Sequence, residues 1–289
     1  MLQPETTRFA PSPTGPLHQG HAYAALLAHS AARDTGGRFV VRMEDLDPGR
    51  CAARHEAGIL EDLNWLGLHW DGPVYRQSER FALYSSALDS LTRRGLVYPC
   101  FCTRGTIARE IAGLAAAPQG PDGPLYPGTC RHLSSRQREA RLAEGGAHAL
   151  RLDIGLAIAG LSGEELCFEE TGQGPAGETG RISVQPALLG DLVLGRKDLG
   201  VSYHLAVVVD DADQGVSLVT RGSDLHSAAH VQRLLQALLG LPVPRYRHHP
   251  LIRNAAGQRL AKRDHAQTLA ALREAGVTPE QIRRQSGLG

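Results

Sequence analysis

The chain has 289 residues, 42% hydrophobic and 21% charged, and its 31 basic and 30 acidic residues leave a net charge of +1. That apolar share can bury a substantial core in one large domain or two smaller ones, which excludes a disordered chain. No long unbroken apolar run occurs, and Met1-Leu2-Gln3-Pro4-Glu5 has neither a basic start nor an apolar stretch, so no membrane span and no secretory signal is expected and the chain is read as cytoplasmic. A balanced charge does not advertise nucleic acid, so an RNA partner would need a local patch, for which Arg245 to Arg263 and Arg283-Arg284 are the candidates.

From the N-terminus, Thr6 to Ala10 reads as a strand, the prolines and glycines of Pro11-Ser12-Pro13-Thr14-Gly15-Pro16 keep the following residues irregular, and Gly20 starts a helix. A strand, loop and helix in that order place unpaired N–H groups where a polyphosphate can bind. His18 and His21, at the loop–helix junction, can add donors to it; the plainer alternative is that they cap the helix. Tyr23, Leu26, Leu27 and Ala31 carry the helix to Asp34-Thr35-Gly36-Gly37. A strand over Arg38 to Met43 delivers Glu44, Asp45 and Asp47 to its C-terminal end, the edge where ligands sit in open α/β sheets. Carboxylates there suit an ammonium group, or cap the next turn. Two amphipathic helices follow, through Ile59, Leu60, Leu63 and Leu66 and through Phe81, Tyr84, Leu88 and Leu91, stopped by Gly67 and Gly95.

At Cys100 the alternation lapses into a Gly/Pro-rich stretch that reads as an insertion. Five cysteines do not make a disulfide framework in a chain this long, and Cys100, Cys102 and Cys130 gather as zinc ligands would. Tetrahedral zinc needs a fourth donor, from Tyr126 or His132, and spacing alone favours the imidazole of His132. Cys51 and Cys167 stand apart and are expected to be inert. Ala149 to Asp153 reads as a short strand and 172–180 as a loop. The almost wholly apolar run from Tyr203 to Val209 is expected to be a central parallel strand. Val216 to Val219 gives another, ending at Thr220-Arg221-Gly222-Ser223-Asp224, with Val231, Leu234, Leu235 and Leu238 marking the crossover helix. Arg221 can clamp a carboxylate with two parallel hydrogen bonds, or pair locally with Asp224.

The run Arg8 to His21, R-F-A-P-S-P-T-G-P-L-H-Q-G-H, resembles the signature of class I aminoacyl-tRNA synthetases, in particular the glutamyl branch. Arg42 to Asp47, Tyr75 to Arg80, Tyr98 to Cys102, Ser202 to Asp211 and Arg221 to Leu225 also recur in that branch in this order. The chain stops soon after Lys262, where ordinary glutamyl enzymes continue into an anticodon-binding region, so it is similar to the stand-alone catalytic-domain paralogues, the glutamyl-Q enzymes. The resemblance implies a Rossmann-type, doubly wound parallel sheet with a zinc-bearing α+β insertion. Its parts would be 1–99 and 196–255 as the halves of the catalytic domain, 100–195 as the acceptor-binding-like insertion, and 256–289 as a mobile-loop and helical segment, with no anticodon-binding domain. It further implies that Arg8, Phe9, Ala10, Pro11, Ser12, Glu44, Tyr203 and Arg221 bind L-glutamate, that His18, Gly20, His21 and Lys262 bind ATP, and that His18, His21 and Lys262 are catalytic. Through its Y-x-x-x-C pattern it implies Tyr126 as the fourth zinc ligand beside Cys100, Cys102 and Cys130. Gly257 to Arg263 takes the place of the family's K-M-S-K-S loop, with Arg259 for its first lysine, Ala261 for its serine and Lys262 keeping the second lysine.

The implied reaction joins L-glutamate to ATP with Mg²⁺ as glutamyl-adenylate and then passes the glutamyl group to queuosine, the modified wobble base in the anticodon loop of tRNA(Asp). Little covalent chemistry falls to the protein, so positioning and charge stabilisation should dominate. A monomer without membrane association is expected. Two rival readings are a truncated glutamyl-tRNA synthetase charging a tRNA 3′ end and a non-catalytic RNA-binding module descended from a synthetase.

Overall fold

The computed structural model describes residues 3–113, 119–120, 123–161, 163, 165–198, 200–251 and 267–287. The chain opens with β1 (Thr6–Phe9), crosses through α1 (Gln19–Arg33) to β2 (Arg38–Met43), and after α2 (Ala53–Trp65) adds β3 (Tyr75–Arg76) and α3 (Phe81–Arg93). The three strands pair in parallel in the order β1-β2-β3. Each helix ends as its sequence dictates: Gly67 and Gly95, just past α2 and α3, both sit at φ 70°, a left-handed conformation that a side chain would strain.

The middle of the chain holds β4 (Val97–Cys100), α4 (Arg104–Ala112), β5 (Gln119–Gly120), β6 (Gly123–Pro124), α5 (Ser135–Ala143), β7 (Ala149–Leu152), α6 (Ile154–Ala159), β8 (Cys167–Glu170), β9 (Gly180–Ser183) and β10 (Val193–Gly195). β10, β7 and β4 make an antiparallel sheet of their own, and β5 and β6 pair as a short ribbon. The last part runs through α7 (Tyr203–Asp213), β11 (Leu218–Gly222), α8 (His226–Leu239), β12 (Arg245–His249), α9 (Leu269–Glu274) and α10 (Pro279–Gln285). β11, β12 and β8 are parallel neighbours and β9 returns antiparallel, so β8 and β9, although they fall within 100–195, belong to the second half's sheet. The start of β11 is tied to β1 by the bond from Ser217 N–H to the Thr6 carbonyl, 2.9 Å. That bond sets the parallel three-stranded sheet of the first half beside the mostly parallel four-stranded sheet of the second, with helices packed on both.

One expectation fails here. Tyr203 to Val209 is not a central strand but the body of α7, whose N-cap is Ser202, its hydroxyl accepting the N–H of Leu205. Leu205, Ala206, Val207 and Val208 are all buried, so the helix is apolar nearly all round and carries no clear stripe. A short apolar run has the same composition whether it is a buried strand or a buried helix, and the capping serine decides between them.

Two large apolar cores result among the described residues, beside a small third one around Tyr98, Cys100 and Cys130. One joins α1, β2 and α2 through Leu26, Phe39, Met43, Ile59 and Leu63, and is completed by Leu269, Leu272 and Ile282 from α9 and α10. The other packs α3, α7 and α8 on β11 through Leu88, Leu205, Val219, Leu234 and Leu235. Among the described residues no helix is long and apolar enough to cross a membrane.

Candidate active site

The C-terminal ends of β1, β2 and β11 bring Arg8, Glu44 and Arg221 to one edge, where the first turn of α7 adds Tyr203. Burying so many charges is tolerable only if they are paired. Arg8, 5% exposed, turns its Nε to Asp211 Oδ1 at 3.3 Å and its Nη1 to the Thr220 carbonyl at 3.2 Å. Arg42, wholly buried, donates to Asp211 Oδ1 at 2.8 Å and to Gln214 Oε1 at 2.6 Å, and approaches Glu44 Oε1 at 3.4 Å. Asp210 is fully buried among Gln77, Arg80 and Tyr84, whose donor atoms lie 2.8 to 3.0 Å from its carboxylate.

The titration directions follow. Burial works against the charge of Asp211, but Arg8 and Arg42 outweigh it and hold its carboxyl below the ordinary range. Glu44 moves the other way: burial raises it, and Arg42 and Arg8 only partly compensate. Tyr203 is pushed up to about 12 by burial and then by the Glu44 carboxylate, so its hydroxyl stays protonated and can donate. Arg221 is 5% exposed; its Nε donates to His248 Nε2 and its Nη1 to Gln232 Oε1, each at 3.0 Å, rather than making the local Asp224 pair weighed from sequence. Its Nη2 is buried with no hydrogen-bond partner among the described residues. Ser12 is exposed on the loop after β1, whereas Phe9 and Pro11 are buried, the Pro11 carbonyl accepting the N–H of Glu44 at 3.0 Å.

His18 is the N-cap of α1 and His21 its third residue. Gly20 N–H bonds to His18 Nδ1 at 3.1 Å and His18 N–H to His21 Nδ1 at 3.3 Å, with the two rings 3.8 Å apart. The histidines therefore do cap the helix, and in doing so bring their rings together, tilted by 32°, at its positive end. Lys262, Arg259 and Ala261 lie outside the described residues.

The sulfur cluster forms at the end of β4. Cys100, Cys102 and Cys130 present ligand atoms within 4.8 Å of one another. The Tyr126 hydroxyl lies 3.5 Å from Cys100 Sγ and 3.4 Å from Cys102 Sγ, and accepts the Cys130 N–H at 2.9 Å. His132, which spacing alone favoured, is exposed and has no atom in that group. Cys51 and Cys167 are free thiols outside it.

Residues 5–288 match the family described as tRNA synthetases class I (E and Q), catalytic domain. The chain belongs to this family. It is 52% identical to the glutamyl-Q tRNA(Asp) synthetase of Rhodobacter capsulatus over 98% of this chain and 99% of that protein, and 48% identical to the protein of that name from Nocardia farcinica over 95% and 81%. Among solved structures it is similar to a glutamate tRNA ligase from Elizabethkingia meningosepticum in complex with its amino acid, with TM-score 0.80 and 27% identity over 99% of this chain and 61% of that one. A Mycobacterium tuberculosis methionyl-tRNA synthetase bound by methionyl-adenylate shares the fold, with TM-score 0.58 and 12% identity over 99% of this chain and 64% of that one.

As a class I synthetase catalytic domain, the chain is a ligase. Sequence reasoning found the residues at the strand ends but missed those that hold them: Asp210 and Asp211 on α7, Gln232 on α8, His248 on β12 and Glu170 on β8. Asp210 and Asp211 had a signal, since two adjacent acidic residues at the end of an apolar run need cations. Of the arginines offered as an RNA patch, Arg245 pairs with Glu5, and Arg283 donates to the Leu66 carbonyl at the end of α2 at 2.7 Å.

Proposed function

We propose that the pocket at the ends of β1, β2 and β11 binds L-glutamate for attack on ATP, and that the product, glutamyl-adenylate, gives its glutamyl group to queuosine of tRNA(Asp). The observation that carries this reading is the Nη2 of Arg221, a buried cationic donor near Tyr203 with no partner of its own among the described residues. A buried guanidinium N–H left unpaired is costly, so a carboxylate that completes it is bound selectively. Arg8 brings a second guanidinium to the same place. Glu44 takes the substrate ammonium, and the Tyr203 hydroxyl and Ser12 complete its polar lining, with Phe9, Ala10 and Pro11 as walls. Glutamine lacks the side-chain charge, and aspartate falls one methylene short of the clamp.

ATP lies at the N-terminus of α1 with Mg²⁺ on its phosphates. The Nδ1 atoms of both histidines are committed to backbone contacts, so His18 and His21 meet phosphate through their Nε2 edges, and Gly20 lets the phosphates approach the backbone. The described residues that flank the segment bearing Lys262 lie near this end: the Leu251 side chain abuts Gly222, the last residue of β11, and Thr268 bridges to His18. The three thiols and the Tyr126 hydroxyl fit tetrahedral zinc in donor type and convergence, and such an ion would fix the junction between β4 and the following chain. On this reading 100–195, apart from β8 and β9, which pair with the second half's sheet, is the acceptor-handling part between catalytic halves 1–99 and 196–255, and an anticodon loop, with its unstacked bases, is presented to it.

Glutamate-dependent ATP–pyrophosphate exchange tests the first step and is expected without RNA. Labelled glutamate should then enter tRNA(Asp) that carries queuosine but not the unmodified transcript. Efficient charging of the 3′ end of unmodified tRNA(Glu) would replace this reading with the truncated-synthetase one, and absence of exchange at saturating ATP and glutamate would favour the non-catalytic module.

A further inference from the structure

A second set of metal-type donors lies behind the pocket: Glu170, His226 and His248, all buried, with ligand atoms within 4.8 Å of one another. Their hydrogen bonds argue against an ion. His248 Nε2 accepts from Arg221 Nε at 3.0 Å, which puts the ring proton on Nδ1, and Nδ1 faces Glu170 Oε2 in a close hydrogen bond. A ring used in this way has no lone pair left for a metal, and a cation there would face the Arg221 guanidinium.

The same bonds do something else. Glu170 Oε1 accepts the backbone N–H of Gly172 at 2.8 Å and of His248 itself at 2.9 Å, so the carboxylate is fixed to the backbone of the residue it orients. His248 then holds Arg221 by Nε, Gln232 holds it by Nη1, and the Tyr246 ring lies 5.2 Å from its guanidinium carbon. We propose that Glu170 and His248 are positioning residues that lock the guanidinium of Arg221 so that its Nη2 points into the glutamate pocket. Burial favours a neutral ring on His248, the state in which Nε2 can accept, and the bonds to His248 keep Glu170 ionised. A guanidinium fixed on three sides before substrate arrives loses little freedom on binding, so the device acts on affinity for the carboxylate. This inference rests on Arg221 being the glutamate clamp.

Glu170→Gln in the full chain is the test. With its amide oxygen held by the two backbone N–H groups, the introduced side chain would turn its NH₂ toward Nδ1; the ring would move its proton to Nε2 and set it against Arg221 Nε–H. In ATP–pyrophosphate exchange the KM for glutamate should rise about tenfold or more, the loss expected for a charge-assisted hydrogen bond. The KM for ATP should hold, and the ¹⁵N shifts of the His248 ring should show the tautomer exchanged. His248→Phe should raise the glutamate KM likewise, and His248→Gln, whose side-chain oxygen can take the Nε2 place, should restore much of it. If Glu170→Gln fails to fold, that His248 pair decides alone. The proposal is overturned if Arg221→Ala raises the glutamate KM while the Glu170 and His248 variants leave it unchanged, or if those variants raise both KM values equally. Arg221→Ala without effect on the glutamate KM would instead remove the clamp itself.

Discussion

Between β2 and α7, Arg42 lies fully buried against Asp210 and Asp211, and each carboxylate is also within reach of a second guanidinium, that of Arg80 or Arg8. At the end of β4, three thiols and a phenol crowd together, every one of them an acid. In the first region folding itself supplies both signs, and the Asp211 carboxyl stays below its ordinary range despite burial. In the second, burial pushes the Cys102 thiol up to about 11 and the Tyr126 phenol above its usual value, while the N–H of Phe101 and the neighbouring hydroxyl and thiol outweigh burial to hold Cys130 below it. One cluster is completed by the chain, and the other is shaped as a ligand set whose charge a metal would balance.

The largest effect should come from breaking the first. Arg42→Met removes the guanidinium shared by Asp210 and Asp211, leaving them to Arg80 and Arg8, and should cost about 3–5 kcal/mol. Urea denaturation monitored by circular dichroism checks this, and a loss below about 1 kcal/mol would mean that Arg8 and Arg80 suffice without it. Next is the sulfur cluster. Purified protein should carry about one zinc per chain, and Cys100→Ser or chelation should remove it and lower Tm by about 5 °C. A metal-free protein whose Tm chelation does not move would make the cluster ordinary packing.

A smaller effect probes the border of the charged region, at Glu44. In its proposed role its carboxyl takes the substrate ammonium only when ionised, and its value in the fold lies above the ordinary one. The KM for glutamate should therefore rise as pH falls, starting at a higher pH than an ordinary carboxylate would dictate, and Glu44→Gln should flatten that limb while raising KM throughout. The smallest is Asp62 on α2, whose side chain is 4% exposed with Arg273 Nη1 3.5 Å away. Burial pushes its carboxyl up to about 6 from 3.8, so the folded state holds this proton more tightly than the unfolded one. Stability is then gained as pH falls through about 6 toward the unfolded value, and the ionised form is the costly one at neutral pH. Asp62→Asn should raise Tm at pH 7 by about 1–2 °C and remove that slope.

The strand ends were readable because β2 and β11 stop at charged loops and β1 at a proline- and glycine-rich one, patterns that survive in one dimension. The partners of those charges were not, since Asp211 is 203 positions from Arg8 and Glu170 is 78 from His248. Nothing local marks such pairs. Reading α7 as a strand hid Asp210 and Asp211, because a strand would have placed them at the ligand edge, whereas the helix turns them inward to Arg42. Ser202 was the overlooked cue. In the sulfur cluster the spacing found the three cysteines, but choosing Tyr126 over His132 took the resemblance; the Tyr126 hydroxyl lies within 3.5 Å of two of the sulfurs, and His132 is exposed.

The bond from Leu269 N–H to the Leu17 carbonyl, 2.9 Å, and the bridge between Thr268 and His18 join the end of the chain to its most chemically loaded loop. Synthesis runs from the N-terminus, so that loop leaves the ribosome early and yet has no finished surroundings until α9 and α10 have followed it. A translation product that stops after β12 would leave Leu26, Ile59 and Leu63 without Leu269, Leu272 and Ile282 against them. Such a fragment would carry the loop that bears His18 and His21 on an open apolar core, a form suited to proteolysis.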